Sequence, residues 1–270
     1  MMLDCLSDSG SVTGVDVSRH RLAACRAMLL KYDLGNRCRL FIADGTKFSL
    51  LPLRHEHDRI MEETKDVYKE WSPRVPWKQR QKLKKMTTHG ISVIAGEIDE
   101  PELIFYGKNS GVVGAQRDDV YQEGGKEKCC RHGYDKVLVD AECTHDGSIA
   151  HIKKFDNWGW DTLQKRVLKA QRTDNLTTLQ LNLLCNGFRL LKVGGFLVYS
   201  TCSFTVAQNE DIIEQFLKQN PSAVLQAIEA AKEWPCKRGS VKNTIRFDPQ
   251  TSQTSGLFIA KIVKSKFCYN

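Results

Sequence analysis

Ser11-Val12-Thr13-Gly14-Val15-Asp16-Val17, then Arg19 to Lys31 (RHRLAACRAMLLK), then Cys38-Arg39-Leu40-Phe41-Ile42-Ala43-Asp44 read as strand, helix and strand. The two outer runs are β-branched and apolar and each ends at an acid. The middle run places Leu22, Cys25, Met28 and Leu29 on one helical face, with Leu34-Gly35 as its stop. Links this tight between strand, helix and strand imply parallel pairing through a right-handed crossover, the unit from which α/β folds are built.

The same grammar returns after residue 133. Lys136-Val137-Leu138-Val139-Asp140 is a buried-type strand ending in an acid, followed by the polar loop Ala141 to Ser148. Leu176 to Leu190 reads as a helix with Leu176, Leu179, Leu183, Leu184 and Phe188 facing inward. Lys192-Val193-Gly194-Gly195 then turns the chain into the strand Phe196 to Thr201, which runs into Cys202. Asn209 to Lys218 is a further helix, acidic at its start as the helix dipole favours. Thr244 to Phe247 and Gly256 to Val263 pair as an antiparallel edge hairpin.

Between these two parts the period is lost. Residues 52–133 carry mixed charge and read as a partly flexible insertion between 1–51 and 134–264, with 265–270 as a tail. Within the insertion, Leu103 to Gly107 and Gly111 to Gly114 suggest a short hairpin. Trp71 to Trp77, followed by Lys78, Arg80, Lys82, Lys84 and Lys85, forms a basic, aromatic-studded patch. That patch suits RNA phosphates and bases, though a solvated charged segment is the stronger expectation.

Composition narrows the class. The chain has 270 residues, 40 Lys+Arg against 32 Asp+Glu, and a hydrophobic fraction of 41%, which excludes a mostly disordered protein. No run of about 18 apolar residues exists, so no helix spans a membrane, and Met1 to Leu6 lacks the features of a secretion signal. Ten cysteines without a CxxC pair point to reduced thiols in an intracellular protein. Zinc ligation wants closely spaced pairs, and only Cys129-Cys130 comes near, so no metal is expected.

Four strands thus end in a reactive or polar residue: Asp16, Asp44, Asp140 and Cys202. Ligands of open α/β sheets bind outside the carboxyl ends of the strands. Asp16 fits the acid that holds ribose hydroxyls, and equally a helix N-cap; Asp44, before Gly45, fits a turn acid as well. Cys202 and Cys143 stand in loops after strands, beside hydroxyls, and either thiol needs a base or cation to ionise near neutral pH. His145 is placed to assist, or to stand in solvent as an ordinary loop residue.

Val139-Asp140-Ala141-Glu142-Cys143-Thr144-His145-Asp146-Gly147, then Leu190 to Ser203 (LLKVGGFLVYSTCS), then Asn209-Glu210 resemble the Sun-type (RsmB-like) RNA cytosine-5 methyltransferases. Gly14 to Ser18 with Arg21-Leu22, Ala43 to Thr46, and Arg246-Phe247-Asp248-Pro249 to Gly256-Leu257-Phe258 fit the same family in the same order. The resemblance implies a Rossmann-like fold that uses S-adenosylmethionine and acts on rRNA or tRNA. By the same resemblance Cys202 attacks carbon 6 of the cytosine, Cys143 helps remove the carbon-5 proton and release product, and Asp140 holds the base edge. Asp16 would hold the cofactor ribose and Asp44 its adenine, with Asp140 beside them.

Two departures from the family pattern stand out. Glu142 replaces the proline of its Asp-Ala-Pro-Cys loop, which removes a fixed φ and sets a carboxylate near the thiol. The family's Gly-rich cofactor loop precedes the first acid, so the resemblance also implies an N-terminally truncated methyltransferase. The alternative expectation is a catalytically inactive RNA-binding fragment or isoform.

Overall fold

Val12 to Asp16 extend because Val12, Thr13 and Val15 favour the pleated backbone, and the segment finds its partner only 26 positions on, at Cys38. The computed structural model describes residues 10–53, 67–70, 100–161 and 170–266. Its contacts divide into two compact units, residues 1–123 and 124–270. Met1 to Leu6 and the Trp71–Lys85 patch lie outside the described residues. The expected boundary at 133/134 is not where the contacts divide. Lys126–His132 packs on the helix and strand that follow it and belongs with them.

In the first unit, β1 (Val12–Asp16) pairs parallel with β2 (Cys38–Ile42) through α1 (Arg19–Lys31). Ser18 caps α1, its hydroxyl accepting from the Arg21 amide at 3.3 Å. The helix ends at Lys31, and the left-handed stop expected at Gly35 is taken by Asp33, with a φ of 53°. Only Leu22 of the expected apolar face is buried; Leu29 is half-buried, while Cys25 and Met28 are exposed. Leu22 and Leu29 are two turns apart, so α1 meets its narrow sheet along a single stripe.

β2 is buried along its whole length because a third strand covers its other edge. That strand, β3 (Glu102–Tyr106), pairs antiparallel with β2, Leu40 opposite Phe105. The hairpin expected between Leu103–Gly107 and Gly111–Gly114 therefore does not form; Leu103 to Tyr106 pair with β2 instead. Arg39, 2% exposed, ties the unit together: its Nε donates to Thr13 Oγ1 at 2.8 Å and a terminal nitrogen to the Leu51 carbonyl at 2.6 Å.

The second unit holds α2 (Lys126–His132), β4 (Tyr134–Asp140), α3 (Ile149–Trp158), α4 (Ala170–Leu190), β5 (Leu191–Thr201) and α5 (Glu210–Gln219). Four further strands follow: β6 (Ala223–Gln226), β7 (Lys237–Arg238), β8 (Thr244–Phe247) and β9 (Leu257–Lys264). The sheet order is β4-β5-β9-β8-β7, with β6 also on β9. β4 and β5 run parallel, Asp140 opposite Ser200. The tail pairs as expected, β8 on β9, but β9 is central rather than an edge, because β5 pairs along its other side. Its alternating burial follows: Phe258, Ala260 and Ile262 enter the core with Leu184, Phe188, Leu197, Tyr199 and Phe216.

Gly194 lies inside β5 rather than in a turn before it. Its φ of 80° lets the strand bulge where the β4 register jumps from Tyr134↔Leu191 to Lys136↔Phe196. Lys264 closes α4. Its ammonium, at a nearly buried site, donates to the carbonyls of Phe188, Arg189 and Leu191 at 3.0, 3.2 and 2.7 Å, at the helix end that attracts cations. The fold is α/β, with parallel pairs β1/β2 and β4/β5 of Rossmann-like type. No helix among the described residues is long and apolar enough to cross a membrane.

Candidate active site

The candidate residues fall into two sets, one per unit. In the first, Asp16 ends β1 and Asp44 lies just past β2, so both stand on the carboxyl rim of two adjacent parallel strands. Asp16 is not the N-cap of α1, a role Ser18 fills. Its carboxylate accepts from the Ser18 amide at 2.6 Å and from Arg21 at 2.8 and 2.9 Å. Asp44 Oδ1 accepts from the amide and hydroxyl of Thr46 at 2.8 and 2.7 Å, a turn arrangement, while its Oδ2 has no partner among the described residues.

In the second unit the parallel pairing of β4 and β5 closes 59 residues of chain and brings two thiols together. Cys143 follows β4, Cys202 follows β5, and their sulfurs are 3.3 Å apart. Asp140 ends β4, exposed, and accepts from the Ser200 hydroxyl at 3.0 Å. His145 joins the pair: its Nδ1 is 3.1 Å from Cys202 Sγ and 3.6 Å from Cys143 Sγ. It reaches there through a left-handed φ of 58°, rare for a residue with a side chain. Its ring stacks on His151 at 4.4 Å.

The two thiols do not titrate alike. The hydrogen bond from Cys202 holds Cys143 below its ordinary value; burial opposes this, the backbone amides of His145 and Cys202 assist, and the Asp146 carboxylate opposes. Cys202 is pushed up, first by donating to Cys143, then by burial and by the charges of Cys143 and Asp140. The pair therefore sheds one proton readily and holds the second, as coupled neighbours do. Glu142, whose carboxylate was expected to disfavour the thiolate, is exposed, and the acid that acts on Cys143 is Asp146.

A buried polar frame fixes both loops. Gln208, on the Cys202 side, accepts from the Thr144 amide at 3.0 Å and donates to the Thr144 hydroxyl at 3.0 Å. Asp146 accepts from the Phe204 amide at 2.8 Å and from the Thr144 hydroxyl. The Gly147 amide donates to the Cys202 carbonyl at 2.9 Å, and a Cβ at Gly147 would lie 2.5 Å from that oxygen. From α4, Gln180 donates to the Glu142 carbonyl at 2.7 Å, an anchor for the loop that lacks proline. Below, Arg246 grips the buried carboxylate of Glu210 with Nε at 2.7 Å and holds the Phe204 carbonyl at 2.9 Å.

Gln180, Gln208 and Asp146 are the residues that sequence reasoning missed. Gln180 had a signal: it sits between Leu176 and Leu184 at four-residue spacing, a polar interruption of an apolar stripe. Gln208 and Asp146 carried none. Cys129, half of the one adjacent cysteine pair, is buried and donates to the Gly124 carbonyl at 3.4 Å.

The chain is 33% identical over 142 residues to a tRNA (cytosine(49)-C(5))-methyltransferase of Pyrococcus abyssi, covering 49% of this chain and 42% of that protein. It is 28% identical over 176 residues to ribosomal RNA small subunit methyltransferase B of Sodalis glossinidius, covering 64% of this chain and 36% of that one. The chain thus spans less than half the length of these curated relatives. The solved structure of a methyltransferase homolog protein from Pyrococcus horikoshii matches with a TM-score of 0.49 at 20% identity, over 94% of this chain and 53% of that one. The family model described as 16S rRNA methyltransferase RsmB/F matches residues 78–263, a stretch that holds Asp140, Cys143 and Cys202, and the chain belongs to that family.

Proposed function

We propose that this chain methylates carbon 5 of a cytosine in RNA, with S-adenosylmethionine as methyl donor and a covalent cysteine adduct on the pathway. The observation that carries the reading is the pair of thiols 3.3 Å apart at the ends of adjacent parallel strands, with an imidazole beside them. Carbon 5 of cytosine is a poor nucleophile until a nucleophile adds at carbon 6.

Cys202 is the more accessible thiol and takes the attacking role. Its proton passes to His145 Nδ1, within contact distance, which leaves Cys143 free to take a proton later. Sγ then donates its electron pair to carbon 6, and the carbon 5–carbon 6 π pair moves onto carbon 5. Asp140 accepts from the exocyclic amino group and so holds and orients the base edge. Once carbon 5 carries the methyl group, Cys143 removes its remaining hydrogen. That C–H pair re-forms the double bond, and the Cys202 sulfur leaves carbon 6. Cys143 is buried, which keeps bulk water from it as it takes that hydrogen. The target base must be out of any stack to reach the thiols.

S-adenosylmethionine, when bound, supplies the electrophilic methyl group. Asp16 and Asp44 suit its ribose and adenine ends: both are acceptors on one strand rim, and the Asp16–Arg21 pair is of the exposed kind, worth about 0–1 kcal/mol, that yields to a ligand.

Denaturing gels of protein mixed with RNA and S-adenosylmethionine test the reading. Cys143→Ala should accumulate a covalent protein–RNA band, and Cys202→Ala should show neither band nor product. The reverse pattern would overturn the assignment of roles, and no band with no product in any form would overturn the activity.

A further inference from the structure

The sequence argues against a metal, since its cysteines are wrongly spaced, but sheet pairing makes spacing irrelevant. Cys143 Sγ, His145 Nδ1 and Cys202 Sγ form a triangle with sides of 3.3, 3.6 and 3.1 Å, and together they are the one group of metal-type donors that gathers among the described residues. Zinc bonds sulfur at about 2.3 Å and imidazole nitrogen at about 2.0–2.1 Å, so tetrahedral ligation needs sulfur–sulfur and sulfur–nitrogen spans of about 3.8 and 3.6 Å. A circle through the three observed donors has a radius of about 1.9 Å, so an ion with bonds of about 2.2 Å sits about 1 Å out of their plane. That geometry needs sub-ångström side-chain adjustment and leaves a fourth position open. The donors are also accessible, with His145 and Cys202 partly exposed.

We infer that Cys143, His145 and Cys202 form a binding site for a thiophilic divalent cation, with zinc the ion that best suits two sulfurs and one imidazole. Binding exchanges the two thiol protons for the ion, so both thiolates become ligands and neither attacks carbon. The ion and the cytosine therefore exclude each other, and the site gives the enzyme reversible inhibition by zinc. Only this last consequence rests on the proposed function; the ion site itself does not.

Two readouts separate them. The first is equilibrium competition for Zn²⁺ between the full chain and a chromophoric chelator, with Co²⁺ substitution to show a thiolate-to-metal charge-transfer band. One ion per chain is expected. Cys143→Ala/His145→Asn/Cys202→Ala should weaken it by at least about 100-fold, beyond what changes outside the ligand shell cause. Cys25→Ser and Cys236→Ser should leave it unchanged. If the triple variant does not fold, by its circular dichroism, His145→Asn alone serves, with loss of at least about tenfold expected. Equal affinity in wild type and ligand variants would overturn the site. The second readout is RNA methylation titrated with Zn²⁺: inhibition reversed by chelator is expected. A bound ion with undiminished methylation would overturn the mutual exclusion, while a failure of methylation without any zinc would count against the proposed function alone.

Discussion

Replacing Gln180 by Leu should separate stability from chemistry. The residue is fully buried on α4, and its amide nitrogen donates to the Glu142 carbonyl at 2.7 Å and to Gln208 Oε1 at 3.3 Å. Its own oxygen, Oε1, has no partner among the described residues. Leu removes two neutral hydrogen bonds, a loss of about 2 kcal/mol, and also removes an unpartnered buried carbonyl that costs about 1–3 kcal/mol. Gln208 Oε1 keeps the Thr144 amide, and Glu142 is an exposed residue, so its carbonyl is taken to reach water. The net change in stability is therefore about zero, within about 1 kcal/mol, or a few degrees in Tm for a unit of this size. The Cys143 loop, however, loses its tie to α4 at the position where proline would have stiffened it. A displacement of about 1 Å at a reacting group costs about 100-fold in rate. Gln180→Glu should behave differently, since it sets a buried carboxylate against two acceptors and costs several kcal/mol. Scanning calorimetry gives the stabilities, and the rate of covalent-adduct formation in a Cys143→Ala background gives the chemistry. An unchanged adduct rate in Gln180→Leu, or a rate that falls only in step with a large drop in Tm, would refute the positioning role.

Three further predictions follow from neighbouring contacts. Gly147→Ala sets a methyl group 2.5 Å from the Cys202 carbonyl, so it should cost about 1–3 kcal/mol and suppress adduct formation, read by melting and by denaturing gel. Glu142→Gln should leave the pH dependence of Cys143 alkylation where it is, whereas Asp146→Asn should move it downward, because Asp146 is the carboxylate that raises this thiol. Burial pushes Glu210 up, but the hydrogen bond and charge of Arg246 outweigh it and hold the carboxyl below its ordinary value. Its folded value is depressed, so its contribution is complete above the unfolded carboxylate range and is lost as pH falls through the folded value. Glu210→Gln should flatten that acid limb in urea unfolding and cost about 3 kcal/mol at neutral pH.

What was legible in the sequence is what local physics decides. α1 runs from Arg19 to Lys31 as its period requires, and β4 ends at Asp140 where the apolar run stops. What was not legible depends on distant partners. The buried side of α1 depended on how narrow its sheet is, and neither Cys25 nor Met28 carries that information. Leu103 to Tyr106 had two candidate partners, and the edge of β2, over sixty residues away, won because it completes the burial of that strand. β9 looked like an edge until β5 took its free side. The same holds at the candidate site. The strand-end rule marked both thiols, but no spacing between positions 145 and 202 reveals that an imidazole will touch a sulfur, because that contact depends on the β4/β5 register and on one left-handed residue.

That dependence also explains why the sulfurs can stand so close without a loose thiol on either side. The two cysteine loops are tied together by two backbone bonds, the Ala141 amide to the Ser200 carbonyl at 3.0 Å and the Gly147 amide to the Cys202 carbonyl at 2.9 Å, and by the Phe204 amide to the Asp146 carboxylate at 2.8 Å. The approach of the two loops is therefore set by two strands and their register, and the cysteine rotamers close the remaining gap between the sulfurs. A shared proton needs this, because the coupling that lowers one thiol and raises its neighbour falls away within an ångström or two of added distance. Proton exchange between two fixed thiols and capture of a thiophilic ion make the same geometric demand. A site shaped for the first is open to the second, and only the occupant of the fourth position, base or ion, distinguishes them.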